Sequence, residues 1–240
     1  MIIFTRELKN TEKIKQFCAD QGIILSGIAD LQPFKKEKCT IPPGLLSGYT
    51  HAISIALRLD DTIIDEIQHA PTPAYNQHYL DINRQLDAIA KNLVEFLHQE
   101  GFKATRVPAS RIIDEDNQRG SISHKAIARM AGLGWQGKSL LIINPTHGPR
   151  IRLASILTDM LLSPDGAIEN MCGDCSKCAD ACPAGAIKNV STTDRYPNRE
   201  MAVDISKCHD KLQEFKNLPG IPNGVCGVCI VVCPHGRKHQ

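Results

Sequence analysis

No stretch of this 240-residue chain approaches the roughly eighteen consecutive apolar residues that a membrane-crossing helix needs. The N-terminal "MIIFTRELKNTEKIK" lacks the charged, apolar and small-residue order of a secretory signal, so a cytoplasmic location is expected and no membrane partner. An excess of charge is missing too. There are 28 Lys and Arg against 26 Asp and Glu, and the last 70 residues share the same near-balance. Such evenness leaves no clustered basic footprint for nucleic acid. Internal repeats and low-complexity tracts are absent, which excludes a solenoid. Finally, the first 170 residues hold only Cys18 and Cys39 of the ten cysteines. That distribution argues against a disulfide framework spread over the chain.

What is present is enough apolar residue, 42%, for a real core. "TEKIKQFCADQGI" reads as a helix capped at Thr11 and stopped at Gly22, with Ile14, Phe17 and Cys18 on one face. Cys18 is thereby a core residue, while Cys39 stands near "IPPG" as a lone thiol. "IILSGIAD", "HAISIALRL", "FKATRVP", "SLLIINP" and "IRLASILTD" have the short apolar runs of strands. Ile82, Leu86, Ile89, Ala90, Leu93 and Leu97 keep helical spacing over Leu80–Gln99, with Gly101 as the stop. "SISHKAIARMAGLG" reads as a helix capped by Ser121 or Ser123 and ended at Gly132. Helices and strands mixed around one core predict an α+β domain over residues 1–165, and the turn in "LLSPDGAIEN" places the boundary before a second domain at 166–240.

The other eight cysteines crowd into that second segment. Cys172, Cys175, Cys178 and Cys182 follow C-x2-C-x2-C-x3-C before Pro183, the bacterial ferredoxin spacing. Three thiols two residues apart suit successive corners of one cubane, and the fourth points to another cluster; zinc sites generally use two separated pairs. "CGVCIVVCPHG" supplies Cys226, Cys229 and Cys233 before Pro234, one cysteine short, and Cys208 completes the count. Two 4Fe-4S clusters follow, one on Cys172, Cys175, Cys178 and Cys233, the other on Cys182, Cys208, Cys226 and Cys229; zinc or a single cluster are the alternatives. His209, beside Cys208, is surplus to eight thiols. A ferredoxin needs little beyond such a segment, so the preceding residues imply a second cofactor or a substrate pocket.

The stretch "ARMAGLGWQGKSLLIINPTHGPRIRLASILTD" followed by these cysteines resembles the epoxyqueuosine reductase family. The likeness extends from "HAISIALRL" through "AYNQHYLDINRQLDAIAKNL" to the second cysteine run. It implies a nitroreductase-like α+β core followed by a bacterial ferredoxin-like two-cluster domain, with a cobalamin that receives electrons from the clusters. On that reading Gly132, Gly134, Trp135, Gly137 and Lys138 contact the corrinoid; a helix cap, a tight turn, core packing for the ring and a surface lysine are the plainer alternatives. Tyr75, His78 and Tyr79 resemble the polar group that precedes the long helix in the family. The chain lacks the family's C-terminal helical-repeat tail, which disfavours transfer RNA as substrate. Family members also carry an Asp, then Gly-Pro, then Glu-Arg upstream of the glycines. "NQRGSISHKA" puts Gln118 at the acid, Ser121 at the proline, and His124 with Lys125 at the Glu-Arg pair. An amide cannot supply a proton, so Asp114, Asp116 and His124 are the candidate catalytic groups.

The expected function is a cobalamin-dependent reductase of a small substrate, fed by a low-potential electron donor protein. A second reading is an electron-transfer or corrinoid-handling protein with no substrate of its own; a third is a non-catalytic, metal-stabilised binding module.

Overall fold

The computed structural model describes residues 2–37, 40–115 and 117–237. Cys39 and Asp116, both singled out above, lie outside the described residues. The helices are α1 (Ile2–Asp20), α2 (Gln32–Glu37), α3 (Asp61–Asp65), α4 (Pro73–Gln99), α5 (His124–Met130), α6 (Lys177–Asp180), α7 (Ile205–Phe215) and α8 (Val228–Val231). The strands are β1 (Leu25–Asp30), β2 (His51–Arg58), β3 (Ala104–Val107), β4 (Trp135–Gln136), β5 (Ile142–Ile143) and β6 (Ile151–Thr158). None of the described helices is long and apolar enough to cross a membrane.

The chain forms two compact units that interleave along the sequence. One comprises Met1–Leu57, Asn83–Leu133 and Arg152–Ile168; the other comprises Arg58–Ile82, Gly134–Ile151 and Glu169–Gln240. Residues 58–82 and 134–151 group with the cysteine-rich segment rather than with their neighbours in sequence.

The first unit is built on a four-stranded sheet in the order β1-β2-β6-β3. β1 runs antiparallel to β2, pairing Gly27 with Ser54, and β3 antiparallel to β6, pairing Arg106 with Ile156. The two central strands are the most apolar, since Ala52, Ile53, Ile55, Ala56, Ala154, Ile156 and Leu157 have no exposed surface. Against the sheet's apolar set stand Ile14 and Cys18 of α1 and Leu86, Ala90, Leu93 and Leu97 of α4, whose spacing places them on one buried stripe. Phe17 and Phe96 stack at 4.7 Å between ring centroids. Burial raises the Cys18 thiol to about 11, as befits a small core hydrophobe.

Two helix starts depart from expectation. Thr11 does not cap α1, which begins at Ile2; its buried hydroxyl instead accepts the Ser163 N–H at 2.8 Å. The long helix begins two turns before Leu80, because Pro73 suits a first helical position and Thr72 Oγ1 caps it by accepting Tyr75 N–H. The polar trio Tyr75, His78 and Tyr79 therefore lies inside α4. "SLLIINP" forms only the two-residue β5.

Helix ends fall where the glycines predicted. After α1, α4 and α5, Gly22, Gly101 and Gly132 take φ of 76°, 84° and 71°. At Gly132 the N–H donates to Arg129 O and the next N–H, Leu133, to Ala128 O, the paired bonds of a Schellman end. A Cβ at Gly132 would also stand 2.8 Å from Gly166 O, whereas at Gly22 nothing lies within 4 Å. We expect Gly22→Ala to cost about 1 kcal/mol of stability from the left-handed conformation alone and Gly132→Ala about 2 kcal/mol or more. Denaturant unfolding of the two variants measures the difference; equal losses would contradict the packing at Gly166.

Candidate iron-sulfur site

The eight clustered cysteines all lie in the second unit and all are half-buried free thiols. Cys178 sits in the one-turn helix α6 and Cys229 in the one-turn helix α8, and these two short helices pack on each other. Cys208 lies in the first turn of α7, whose start is capped by Asp204 accepting Lys207 N–H. An isolated antiparallel bridge, Ile187 to Val203, joins the segment after Cys182 to the one that enters α7.

Electrostatic influences link these thiols, and at Cys233, Cys178 and Cys226 they run within the ligand sets that the spacing predicts. Burial pushes Cys233 up to about 11, and the neighbours that add to the rise are Cys172, Cys178 and Cys175. Cys178 is raised by burial and then by Cys172 and Cys175. Cys226 is raised to about 11 by burial, then by Cys208 and Cys182. Cys229 is raised above the ordinary thiol range by burial and then chiefly by Cys226 and Cys208; it also feels Cys178 of the other group. The donor set is eight soft sulfurs, which suits iron-sulfur clusters. Among the described residues no three His, Cys, Asp or Glu side chains form a group that could hold a metal ion as they stand. The grouping therefore rests on ligand spacing and on these mutual influences. His209 faces Gln213 at 3.0 Å rather than any sulfur.

Apolar residues surround the second group. Cys182 and Cys208 pack against a buried cluster of Leu140, Ala186, Tyr196, Ala202 and Val203. Cys182 Sγ also accepts the Ala186 N–H at 3.4 Å. Around the first group the contacts are polar and come from residues 134–138. Trp135, fully buried, donates its indole N–H to Cys172 Sγ at 3.3 Å. Lys138, 3% exposed, donates from Nζ to Cys175 O and to Asn189 Oδ1, both at 2.9 Å. Asn170 links the same elements, donating to Gln136 O while accepting Cys172 N–H.

The structure thus gives the five residues nominated for a corrinoid other work. Gly132 closes α5. Gly134 lets the chain pass Ile143, where a Cβ would lie 2.4 Å from the carbonyl oxygen, and Gly137 faces the Ile143 side chain and Cys172 Sγ. Trp135 and Lys138 serve the first cysteine run and present almost no surface to a macrocycle. Sequence reasoning took the stretch as a cofactor loop because nothing local reveals that it returns to cysteines more than thirty positions away.

The second cysteine run has a clamp that no sequence motif announced. Gly148 and Gly236 meet backbone to backbone, so that a Cβ on Gly148 would stand 1.9 Å from His235 O and one on Gly236 2.1 Å from His147 O. His235 in turn lies edge-on to Trp135 at 4.9 Å. Nearby Arg58 donates to Asp61, meets His147 Nδ1 at 2.7 Å and reaches Gly236 O. Tyr75 packs where Gly227 has no side chain, and His78 Nε2 accepts Asp60 N–H.

Of the catalytic candidates, Asp114 and His124 lie in the first unit. Asp114 accepts Asn117 N–H and one amide proton of Asn117, and it bridges to Arg119 in a tight turn. Gln118 in that turn has a φ of 49°. His124 opens α5 behind its cap, Ser123, and both ring nitrogens are engaged. A carbonyl only accepts, so Nε2–H donates to Pro108 O at 2.9 Å and Nδ1 accepts from Ser155 Oγ at 2.9 Å. Burial lowers the His124 pKa below its usual 6.5, with the Pro108 bond acting against the shift.

Residues 171–236 match the family of 4Fe-4S double cluster binding domains. The epoxyqueuosine reductase of Bacillus subtilis (strain 168) is 26% identical over 228 residues, covering 90% of this chain and 55% of that protein. That of Pseudomonas aeruginosa is 30% identical over 232 residues, covering 88% and 58%. The chain is similar to the epoxyqueuosine reductases and carries a 4Fe-4S double cluster binding segment. It spans about half the length of the curated relatives it matches. Among solved structures, an epoxyqueuosine reductase bound to a modified tRNA-Tyr stem loop superposes with a TM-score of 0.65 at 22% identity, covering 94% of this chain and 65% of that one. A catabolic reductive dehalogenase, NpRdhA, superposes with a TM-score of 0.75 at 20% identity, covering 97% and 32%. The shared fold is a mixed α+β core with antiparallel strand pairs, followed by a cysteine-rich ferredoxin-like region.

The His124 assignment has a pH consequence for this epoxyqueuosine reductase-like chain. A histidine whose folded pKa is lowered binds fewer protons folded than unfolded, so its contribution is present above about pH 6.5 and is lost as pH falls below that value. His124→Gln should lower stability at about pH 7.5 yet flatten the further loss on going to about pH 5.5, read by denaturant unfolding. Parallel losses in variant and parent would show that the fold does not lower the His124 pKa.

Proposed function

We propose that this chain is an iron-sulfur oxidoreductase whose two 4Fe-4S clusters relay single electrons to an acceptor in or beside the first unit. Cys172, Cys175, Cys178 and Cys233 hold one cluster, and Cys182, Cys208, Cys226 and Cys229 the other. The observation that carries this reading is eight cysteines at ferredoxin spacing in one compact unit, over a segment that matches a 4Fe-4S double cluster binding domain. Iron must displace protons that burial and neighbouring sulfurs hold on the thiols, after which a bound cluster supplies one-electron chemistry at low potential. The apolar cluster of Leu140, Ala186, Tyr196, Ala202 and Val203 covers one side of Cys182 and Cys208. A low-potential electron donor protein supplies the electrons.

The acceptor favoured by kinship is a cobalamin, since a reductive dehalogenase of the same fold is described as working by B12-dependent dehalogenation. The residues that sequence nominated for it do not fit: Trp135 and Lys138 are buried on the cysteine run, and Gly132, Gly134 and Gly137 lie close against Gly166, Ile143 and Cys172. That misfit supports a second reading, an electron-transfer or corrinoid-handling protein that serves a partner.

Anaerobic purification followed by iron and sulfide counts should give about eight of each per chain. Zinc in their place, or about four iron, would overturn the two-cluster reading. Cys233→Ser should perturb the same cluster as Cys172→Ser, and Cys208→Ser the same one as Cys182→Ser, as read by electron paramagnetic resonance of the reduced protein. Incubation with cobalamin separates the acceptor readings: stoichiometric cobalt retained after gel filtration supports a bound corrinoid, and none retained supports the electron-transfer reading.

A further inference from the structure

Among its described residues the second unit buries two cations, and they are treated differently. Arg150, 1% exposed, is neutralised by Asp61 at 3.0 Å and Asp65 at 2.5 Å. Lys138, 3% exposed, has no carboxylate among its hydrogen-bond partners in the described residues; both are carbonyl oxygens, of Cys175 and Asn189. A buried ammonium with only neutral partners is costly unless an anion lies within reach. The anions on hand once iron is bound are the first group's sulfurs, since Lys138 Nζ donates to the backbone oxygen of Cys175 itself. To this is added the indole N–H of Trp135, aimed at Cys172 Sγ from a ring with no exposed surface.

We propose that Trp135 and Lys138 are potential-setting residues which hold the cluster on Cys172, Cys175, Cys178 and Cys233 at a higher reduction potential than the cluster on Cys182, Cys208, Cys226 and Cys229. The inference rests on the ligand sets proposed above. One-electron reduction adds a negative charge to a cluster that four thiolates already make anionic. A fixed positive charge and an N–H donor at its sulfurs favour the reduced form, and in a dry site both act with little screening. The second group has an apolar wall at Cys182 and Cys208 and accepts a backbone N–H at Cys182. The first cluster is thereby where an electron rests, and the second is the stronger reductant.

The test is a dithionite redox titration of the iron-loaded full chain, followed by electron paramagnetic resonance, on the parent, Trp135→Phe, Lys138→Met and Lys138→Arg. Two separate midpoints are expected in the parent. Trp135→Phe keeps a buried ring without its donor, and Lys138→Met keeps length without charge; each should move only the higher midpoint to more negative potential. Lys138→Arg, which retains charge, should stay near the parent. Coincident midpoints in the parent, or unchanged midpoints in iron-replete Trp135→Phe and Lys138→Met, would overturn the proposal, as would movement of the lower midpoint instead. Should Lys138→Met come out iron-poor, Trp135→Phe decides alone. Failure of the ligand assignment is recognised separately, by a parent that takes up zinc or only about four iron.

Discussion

Eight thiols crowded into residues 172–233 of one compact unit impose the constraint on which the rest of the structure depends. Each sulfur must lose a proton to bind iron, while burial and its neighbours both oppose that loss at Cys226, Cys229 and Cys233. Gathered thiolates without a cation would repel one another at short range. The fold sets hydrogen-bond donors and apolar side chains against them, Trp135 at Cys172 and the Leu140 cluster at Cys182 and Cys208. The one-turn helices α6 and α8 carry Cys178 and Cys229 and pack on each other.

The interleaving of the two units follows from the same demand. A cysteine-rich segment of this length has little apolar residue to cover itself, so residues 58–82 and 134–151 are recruited to it. From the second of these come Trp135 and Lys138, and the loop whose Gly148 locks against Gly236 beyond Cys233. From the first come Tyr75, packed on Gly227 ahead of α8, and the Asp61 and Asp65 carboxylates that neutralise Arg150. The first unit is organised more simply, with two apolar central strands and the stripe of α4 holding its core.

Much of that core was legible residue by residue. The apolar spacing of α4, the strands β1, β2, β3 and β6, and the glycine stops of α1, α4 and α5 all follow from local rules about periodicity and left-handed backbone. Helix starts were less so: Thr11 looked like a cap and is a buried hydroxyl bonded to Ser163, a contact made across more than a hundred residues. His124 looked available for proton transfer by its place in the motif. Its two hydrogen bonds to Pro108 and Ser155 make it a structural pin.

The sequence by itself determined the chemistry of the ligands, because cysteine spacing is a local property and a cubane reads that spacing directly. It also determined the secondary structure of the α+β core, since periodicity and glycine placement act within a few residues. Only the tertiary structure decided what the stretch "AGLGWQGK" is for. Its indole and ammonium meet Cys172 and Cys175 through contacts of long sequence separation. The burial that turns an apparent surface lysine into a charge held beside the sulfurs exists only once those distant segments have packed.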